Sequence, residues 1–246
     1  MEDIIYGKNP IIEALEAGHE INKMLLLEGS RDRNLQKIIE TARSKKILLQ
    51  FVDRKMMDKI AEGENHQGVI AYISPYEYYE VDALLQIARD KGEPPFLIIC
   101  DEITDPHNLG SIIRTANAVG AHGVIIPKRR SAAINQTVVK TSCGAVEYVP
   151  VARVTNITQT IKTLQKEGVW IVGTDMGAPV YHEANLTGSI AIVVGNEGDG
   201  ISRLVKESCD FMISLPMMGA VSSLNASVAC GVVMYEIVRQ RNLKGK

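Results

Sequence analysis

The sequence predicts an α/β protein in which a small α/β unit precedes a larger, mostly parallel sheet. From Phe96 onward, apolar runs alternate with amphipathic helical patterns, and this alternation is typical of a parallel sheet covered by helices on both faces. Between prolines, residues 76–94 carry two basic and five acidic side chains, a composition shift that indicates a linker. We therefore expect a small α/β unit over 1–75, a linker over 76–94 and a second domain over 95–246.

The individual elements follow from hydrophobic periodicity and from helix-start residues. In the helix at 33–46, for example, Leu35, Ile38, Ile39 and Ala42 share one face. The predicted helices are 9–17, 33–46, 55–61, an acidic one before residue 92, 109–119, 135–141, 157–167, 201–207 and 224–241. The predicted strands are 24–27, 47–52, 69–73, 96–101, 124–126, 169–174, 190–194 and 211–214.

Composition excludes several classes of protein. The 246 residues are 46% hydrophobic and 23% charged, which excludes wholesale disorder, collagen and a coiled coil. A net charge of −2 argues against a polybasic nucleic-acid binder but allows a local basic groove. Neither a membrane span nor a secretory signal is expected. The four cysteines show no paired spacing, so we expect a reduced, cytoplasmic protein without a zinc site.

Three polar clusters follow predicted strands, where ligands of parallel sheets collect. The first runs from Asp105 to Ala116 and opens a helix, with Asn108 near its start. Arg114 lies away from the apolar stripe of that helix, so it faces a site or solvent. The structural alternative is a capped helix with Asp105 as N-cap and Arg114 solvated.

The second cluster is the glycine-rich segment 195–200, with Glu197 between small residues. Its glycines permit tight turns and close approach of a ligand to the backbone. Their order is G-x-x-G-x-G, which disfavours a nucleotide-dependent oxidoreductase, because the dinucleotide fingerprint is G-x-G-x-x-G. Alternatively, Glu197 caps the next helix.

The third cluster, residues 215–229, is a loop with proline and glycine that leads into a helix of small residues. Ser223 and Asn225 place a hydroxyl and an amide at the start of this helix. A flat ligand can approach such a surface closely, although a capped and tightly packed helix would explain the same pattern. The basic run Lys128-Arg129-Arg130 is either a solvated loop or a phosphate contact. The five histidines never show metal-ligand spacing.

Together and in this order, the three clusters resemble the motifs of the SpoU (TrmH) family of RNA ribose 2′-O-methyltransferases, within the SPOUT superfamily. The resemblance covers residues 95–243. The first 75 residues resemble the substrate-binding domain of the same family, through Gly7-x-Asn9-Pro10 and His66-Gln67-Gly68-Val69. This domain order is most similar to the RlmB type, which methylates a guanosine in 23S ribosomal RNA. Asn9 departs from the histidine that many relatives carry, which bears on the subfamily and not on the chemistry.

The resemblance implies a deep trefoil knot in the second domain, S-adenosylmethionine as cofactor, RNA as substrate and a homodimer. The cofactor contacts it implies are Gly173, Thr174, Gly195, Leu215 and Leu224, and the catalytic residues are Asn108, Arg114, Glu197, Ser223 and Asn225. No metal is implied. The partner-facing side chains would be Val228, Val232, Val233 and Ile237, unless these pack internally.

The resemblance also implies roles for these side chains. Arg114 would hold the target phosphate and stabilise the developing alkoxide, because a guanidinium stays protonated in proteins and is a poor base. Glu197 would orient the arginine or the nucleotide, and Asn108 would hydrogen-bond the ribose. Two alternatives remain: a tRNA 2′-O-methyltransferase of the same family, and a non-catalytic RNA-binding or ribosome-assembly protein with the same fold.

Overall fold

The computed structural model describes residues 3–30, 32–74, 76–196, 198–220 and 223–244. The chain divides into two units, one made of Met1–Glu77 with Ile134–Gln136 and the other of Tyr78–Ala133 with Thr137–Lys246. Each unit has its own sheet and its own apolar core. In the described part of the chain, no helix combines the length and the apolar character that a membrane span needs.

The first unit contains a mixed four-stranded sheet in the order β1-β4-β2-β3. Strands β2 and β3 are parallel, whereas β4 is antiparallel to both β1 and β2. Successive residues of β2 point to opposite faces, so Leu26 and Leu25 belong to different apolar clusters. The elements are β1 (Asp3–Tyr6), α1 (Lys8–Glu16), β2 (Ile21–Leu27), α2 (Arg33–Ser44), β3 (Leu48–Val52), α3 (Arg54–Ala61) and β4 (Val69–Ile73).

The second unit contains a six-stranded sheet in the order β10-β8-β9-β5-β6-β7, and every neighbouring pair is parallel. The predicted α/β class with a parallel sheet is therefore confirmed. The strands are β5 (Phe96–Cys100), β6 (Gly123–Pro127), β7 (Val151–Val154), β8 (Trp170–Thr174), β9 (Ile190–Val194) and β10 (Phe211–Ile213). The helices are α4 (Val81–Asp90), α5 (Pro106–Ala118), α6 (Gln136–Thr141), α7 (Ile157–Lys166), α8 (Arg203–Glu207) and α9 (Ala226–Lys244).

Side-chain caps set the starts of several helices where the sequence predicts them. Asp32, Asp53 and Asp105 accept hydrogen bonds from the backbone N–H groups of Leu35, Met56 and His107, at 2.9, 2.7 and 2.9 Å. Such caps satisfy N–H groups that have no partner within the helix. Asp105 thus caps the helix of the first polar cluster, with Pro106 in its first turn, as the structural alternative for that cluster holds.

The structure differs from the predicted linker at 76–94. Helix α4 lies within this range, and its Leu84 and Leu85 are buried in the core of the second unit with Leu97 and Ile99. A side-chain carbon at Gly123 would lie 2.4 Å from Leu84, so β6 approaches α4 closely. The acidic residues of this segment are its solvent face, and its apolar stripe belongs to the second unit.

Helix α9 also corrects the expectation that four of its side chains face a partner subunit. Val233 and Ile237, expected on a partner-facing surface, are fully buried within their own unit, whereas Val228 and Val232 are exposed. At 100° per residue, Val228 and Val232 share one face of α9 and Val233 and Ile237 share another.

His122 fixes the entry to β5 through both of its ring nitrogens. Its Nδ1 accepts a hydrogen bond from the Phe96 N–H at 3.0 Å, and its Nε2 lies 3.1 Å from Glu93 Oε2. Burial lowers the pKa of His122 below its usual 6.5, and the hydrogen bond to Glu93 opposes this only in part. The neutral ring, with its proton on Nε2, therefore satisfies both contacts.

We expect the free energy of unfolding to fall as the pH drops below about 6.5, because the unfolded chain binds a proton that the folded His122 resists. Stability from this group is present above the unfolded pKa and is lost as the pH falls towards the lowered folded pKa. The loss is at most about 1.4 kcal/mol per pH unit for one proton. Urea unfolding between about pH 7.5 and 5.5 measures it. His122→Gln should flatten this dependence while the exposed-residue control His19→Gln keeps it; equal slopes for all three proteins contradict the assignment.

Candidate active site

A cleft lies at the carboxyl edge of the second sheet. Thr174, Val194 and Ile213, the last residues of β8, β9 and β10, all line it. Because β10, β8 and β9 are parallel neighbours, their carboxyl ends meet at one edge, where ligands of such sheets bind. The cleft is thus positioned by the strand order itself.

The loop after β9 forms one wall of the cleft. The backbone N–H and C=O groups of Asn196 and Gly200 pair at 3.1 Å each, and Asn196 Oδ1 accepts from the N–H groups of Gly198 and Asp199 at 2.8 and 2.7 Å. A side-chain carbon at Gly195 would lie 2.0 Å from the carbonyl carbon of Gly200. Only glycine at 195 therefore allows this loop to close. Glu197, a predicted catalytic residue in the same loop, lies outside the described residues.

The segment before α9 forms the opposite wall. Leu215, Met217, Ser223 and Leu224 line it, and Ala226 and Ala229 continue it into the first turns of the helix. Asn225 starts α9, because its Oδ1 accepts from the N–H groups of Ser227 and Val228 at 3.0 and 3.3 Å. The small residues here leave the room that a larger side chain would fill.

A hydrogen bond joins the first polar cluster to the third. Asn225 Nδ2 donates to Asn108 Oδ1 at 2.8 Å, across 117 positions of the chain. Asn108 is buried in the first turn of α5, where helices α5 and α9 pack together. The second and third clusters share the cleft, so all three meet in one region.

Arg114 lies elsewhere on α5. It is exposed, and it has no hydrogen bond or ion pair with any residue in the described ranges. It follows Asn108 by six residues, which is about 9 Å along a helix axis. Arg114 does not line the cleft of its own chain, although both lie on the same unit.

Of the predicted cofactor contacts, four line the cleft and one does not. Gly173 is buried within β8, where a side-chain carbon would lie 2.6 Å from the Met212 sulfur. This glycine permits close packing of Met212, and its cofactor contact stays a prediction. The four that line the cleft are Thr174, Gly195, Leu215 and Leu224, and the predicted catalytic Ser223 lies beside them.

Two family models match this chain. The SpoU rRNA Methylase family matches residues 95–235, and the RNA 2′-O ribose methyltransferase substrate-binding family matches residues 4–79. The chain belongs to the SpoU rRNA methylase family. It is accordingly an RNA methyltransferase, and the resemblance stated from its motifs is confirmed.

Relatives support the assignment over nearly the whole chain. A Bacillus subtilis (strain 168) protein named as a TrmH family tRNA/rRNA methyltransferase, YacO, is 49% identical over 246 residues, which are 99% of this chain and 98% of that one. The crystal structure of the SpoU methyltransferase AviRb from Streptomyces viridochromogenes with the cofactor AdoMet is 27% identical, with a TM-score of 0.62, and the match covers 98% of this chain and 91% of AviRb. The A. aeolicus TrmH/SpoU tRNA modifying enzyme is 32% identical, with a TM-score of 0.57, over 62% of this chain and 78% of its own.

The SpoU site contains residues that sequence patterning does not single out. Asp101 is buried at the end of β5, and its Oδ2 accepts from the Ser202 N–H at 2.7 Å, which ties the loop after β9 to β5. Asp175 lines the cleft and pairs with Lys206. Asp101 is the last residue of a predicted strand and Asp175 directly follows another, which are usable signals, but their place beside the cleft depends on the strand order.

The cysteines offer no nucleophile in the cleft. Burial raises the pKa of Cys100 to about 12 and that of Cys209 to about 12, so both thiols stay protonated near neutral pH. Cys230 is fully buried and Cys143 is exposed. Within the described residues, no group of three or more His, Cys, Asp or Glu side chains could hold a metal ion.

We expect Gly195→Ala to destroy the cleft, because its added carbon would overlap the Gly200 backbone, which no flexible side chain relieves. Binding of S-adenosylmethionine, measured by calorimetry, should weaken by more than about tenfold, a shift of about 1.4 kcal/mol. Gly198→Ala is the matched control in the same loop, because its added carbon meets only Asn196 Oδ1 at 3.5 Å. Equal affinities for the two variants contradict the assignment of this loop to the cofactor site.

Proposed function

We propose that this chain transfers a methyl group from S-adenosylmethionine to a ribose 2′-hydroxyl of RNA, and that its target is a guanosine in 23S ribosomal RNA. The observation that carries the proposal is the Asn108–Asn225 hydrogen bond, which joins the first motif to the segment that walls the cleft. The family, the cleft and the AdoMet-bound relative support the cofactor and the reaction.

The cleft has the chemistry that S-adenosylmethionine requires. Ile213, Leu215 and Leu224 offer apolar contacts for the adenine ring and the methionine chain, and small residues leave space beside them. The carboxylate of Asp199 lies in the same lining, where it attracts the cationic groups of the ligand, while the carboxylate of Asp175 there is paired with Lys206. When bound, the cofactor supplies an electrophilic methyl group on a sulfonium sulfur.

Because the methyl group is already activated, the protein must chiefly align the sugar oxygen and accept its developing charge. We assign the second task to Arg114, whose guanidinium also holds the target phosphate. The proton of the 2′-hydroxyl goes to a phosphate oxygen or to water, because a guanidinium remains protonated. Glu197 orients Arg114 or the nucleotide in this assignment.

The surroundings of Asn108 and Ser223 favour positioning roles for these two residues. Asn108 is buried and its Oδ1 accepts from Asn225, so we assign it to holding the start of α9 beside the cleft as well as to the ribose contact. Ser223 lines the cleft and offers a hydroxyl there. Both residues act by placing groups and not by taking the proton.

The N-terminal unit supports ribosomal RNA over transfer RNA as the substrate. It matches the RNA 2′-O ribose methyltransferase substrate-binding family over residues 4–79. The A. aeolicus tRNA modifying enzyme, in contrast, aligns with only 62% of this chain. A tRNA 2′-O-methyltransferase is the second candidate, because the name of the Bacillus subtilis relative includes both RNAs.

A homodimer and the trefoil knot belong to the same proposal. Val228 and Val232 lie exposed on α9, and Tyr235 on that helix is 56% exposed. Together with Ser111 and Thr115 of α5 they line a broad shallow surface. Arg114 stands between Ser111 and Thr115 in the chain, so a second copy on this surface would lie near it. The knot is proposed from the family resemblance, in which the C-terminal segment threads through a loop.

We expect 2′-O-methylation mapping to show one guanosine mark in 23S ribosomal RNA that is absent from cells lacking this protein. Wild-type protein should restore the mark, and Arg114→Ala should not, because removing a charge stabiliser lowers the rate by about 100- to 1,000-fold. Calorimetry should show that Arg114→Ala still binds S-adenosylmethionine within about twofold of wild type, because Arg114 lies outside the cleft.

Asn117→Ala, another exposed position on α5, is the matched control and should restore the mark fully. If cells lacking this protein lose a 2′-O-methyl mark in transfer RNA instead, the second candidate, a tRNA 2′-O-methyltransferase, replaces the ribosomal proposal. Failure of the wild-type protein to bind S-adenosylmethionine would favour a non-catalytic RNA-binding protein. Near-normal methylation by Arg114→Ala would refute its assigned role.

We expect sedimentation velocity to show a dimer that Val232→Glu converts to a monomer, because the new charge would be buried against a second copy. Methylation should be lost together with the dimer. Leu204→Glu, which changes a 58% exposed residue of α8, should leave the dimer intact. A monomeric and fully active wild-type enzyme would contradict the proposed assembly.

A further inference from the structure

One stretch of the second unit has an unusual charge distribution. No aspartate or glutamate occurs from position 106 to 146, although the chain contains 29 acidic side chains in 246 residues. The same stretch carries five basic side chains: Arg114, Lys128, Arg129, Arg130 and Lys140. In a chain with a net charge of −2, this is a local surplus of positive charge.

The fold brings the loop after β6 against the loop that precedes α5. The Ala132 N–H donates to the Ile103 carbonyl at 2.7 Å, and the Ser131 hydroxyl donates to the same carbonyl at 3.2 Å. Arg130 adopts a left-handed conformation, with φ of 55°, and pairs with Glu102 at 3.2 Å. These contacts hold Lys128, Arg129 and Arg130 beside the entry to α5.

Helix α6 packs against the first turns of α5 on another side. A side-chain carbon at Gly110 would lie 2.7 Å from Thr141, and the Thr141 hydroxyl lies 3.3 Å from His107 Nδ1. Gly110 and Arg114 are four residues apart and therefore share a face of α5. Lys140, next to Thr141, thus stands near the face of α5 that carries Arg114.

The charges of this stretch are largely uncompensated. Among the described residues, Arg114, Arg129 and Lys140 are exposed and form no ion pair with a carboxylate. Arg130 pairs with Glu102 but stays 80% exposed. Four other basic side chains of the same unit do pair with carboxylates, namely Arg89, Arg203, Lys206 and Arg239.

The loop after β6 and helix α6, which carry four of these five charges, also lack the features of a protein interface. The exposed large apolar side chains of the chain include Tyr148, Trp170 and Met218, but none lies within 106–146, a stretch that is described throughout. Protein interfaces depend on buried apolar and aromatic anchors. Exposed guanidinium and ammonium groups without such anchors favour a polyanion.

We propose that the second unit carries a basic surface that binds the RNA sugar-phosphate backbone beside Arg114. This surface consists of Lys128, Arg129, Arg130 and Lys140. The inference rests on the proposed function, because it takes RNA as the substrate. Its contacts are to phosphates, so they fix the position of the strand and carry no base specificity. In this proposal the second unit binds RNA itself, independently of the first unit, which matches the substrate-binding family.

The test compares Arg129→Gln/Lys140→Gln with wild type in binding a fluorescein-labelled oligouridine of about 20 nucleotides, a probe without base specificity. Fluorescence anisotropy is measured between about 0.05 and 0.2 M salt. Each lost phosphate contact on a single strand lowers the slope of log affinity against log salt by about 0.7, so the double variant should lose about 1.4 in slope. At about 0.1 M salt this is about a 25-fold weaker affinity.

Two control variants make the result specific. Lys162→Gln/Lys166→Gln removes two exposed charges from α7 of the same unit and should change the affinity by less than about twofold. Arg129→Lys/Lys140→Arg keeps the charge and should keep the wild-type slope. Thermal unfolding should be unchanged throughout, because none of these side chains has a partner to lose among the described residues.

Equal salt slopes for wild type and Arg129→Gln/Lys140→Gln, whether steep or flat, would overturn the basic surface. An equal loss in Lys162→Gln/Lys166→Gln would overturn it as well, because net charge alone would then explain the effect. The readout is RNA binding without cofactor, so it is independent of methylation. If the wild type failed to bind S-adenosylmethionine, the proposed function would fail while this result stood.

Discussion

The site depends on the hydrogen bonds that the side chain of Asn225 makes. Its Oδ1 accepts from the first free N–H groups of α9, and its Nδ2 donates to Asn108 on α5. One amide therefore fixes both where α9 begins and where it meets α5. The residues just before and after it, Leu224 and Ala226, line the cleft, so the shape of one wall follows from this contact. A carboxylate at 225 could cap the helix but could not donate to Asn108.

Helix α5 separates two kinds of chemistry on one unit. Its first turn, with Asn108, borders a cleft of small, apolar and acidic residues that suits a cationic cofactor. Its third turn carries Arg114, near the proposed basic surface for RNA. An acidic cleft repels phosphate, whereas a basic surface repels the sulfonium group. This division gives the cofactor and the RNA phosphates separate contacts along one helix, while the ribose reaches the cleft.

Sequence patterning predicts most of the fold but misses β1 and β7. Both are four-residue edge strands, which pair on one side only and have too few residues for a clear period. The acidic composition of 76–94 predicts a linker, because the charged side chains on the solvent face of this segment hide the apolar stripe of α4 in a simple count of residue types. The cleft residues that belong to the motifs are predicted, because the three motifs can be recognised from their residues and their order along the chain. Asp175, directly after β8, is not, because its place in the cleft depends on which strands become neighbours.

The position of Arg114 gives the proposed dimer a chemical role. A side chain about 9 Å along α5 from Asn108 does not line the cleft of its own chain. Ser111 and Thr115 flank it, and they share a shallow surface with exposed residues of α9. In the proposed dimer, a second copy on that surface lies near Arg114. The Arg114 guanidinium, which has no partner among the described residues, and the exposed apolar residues of α9 therefore lie on or beside the surface assigned to the proposed dimer.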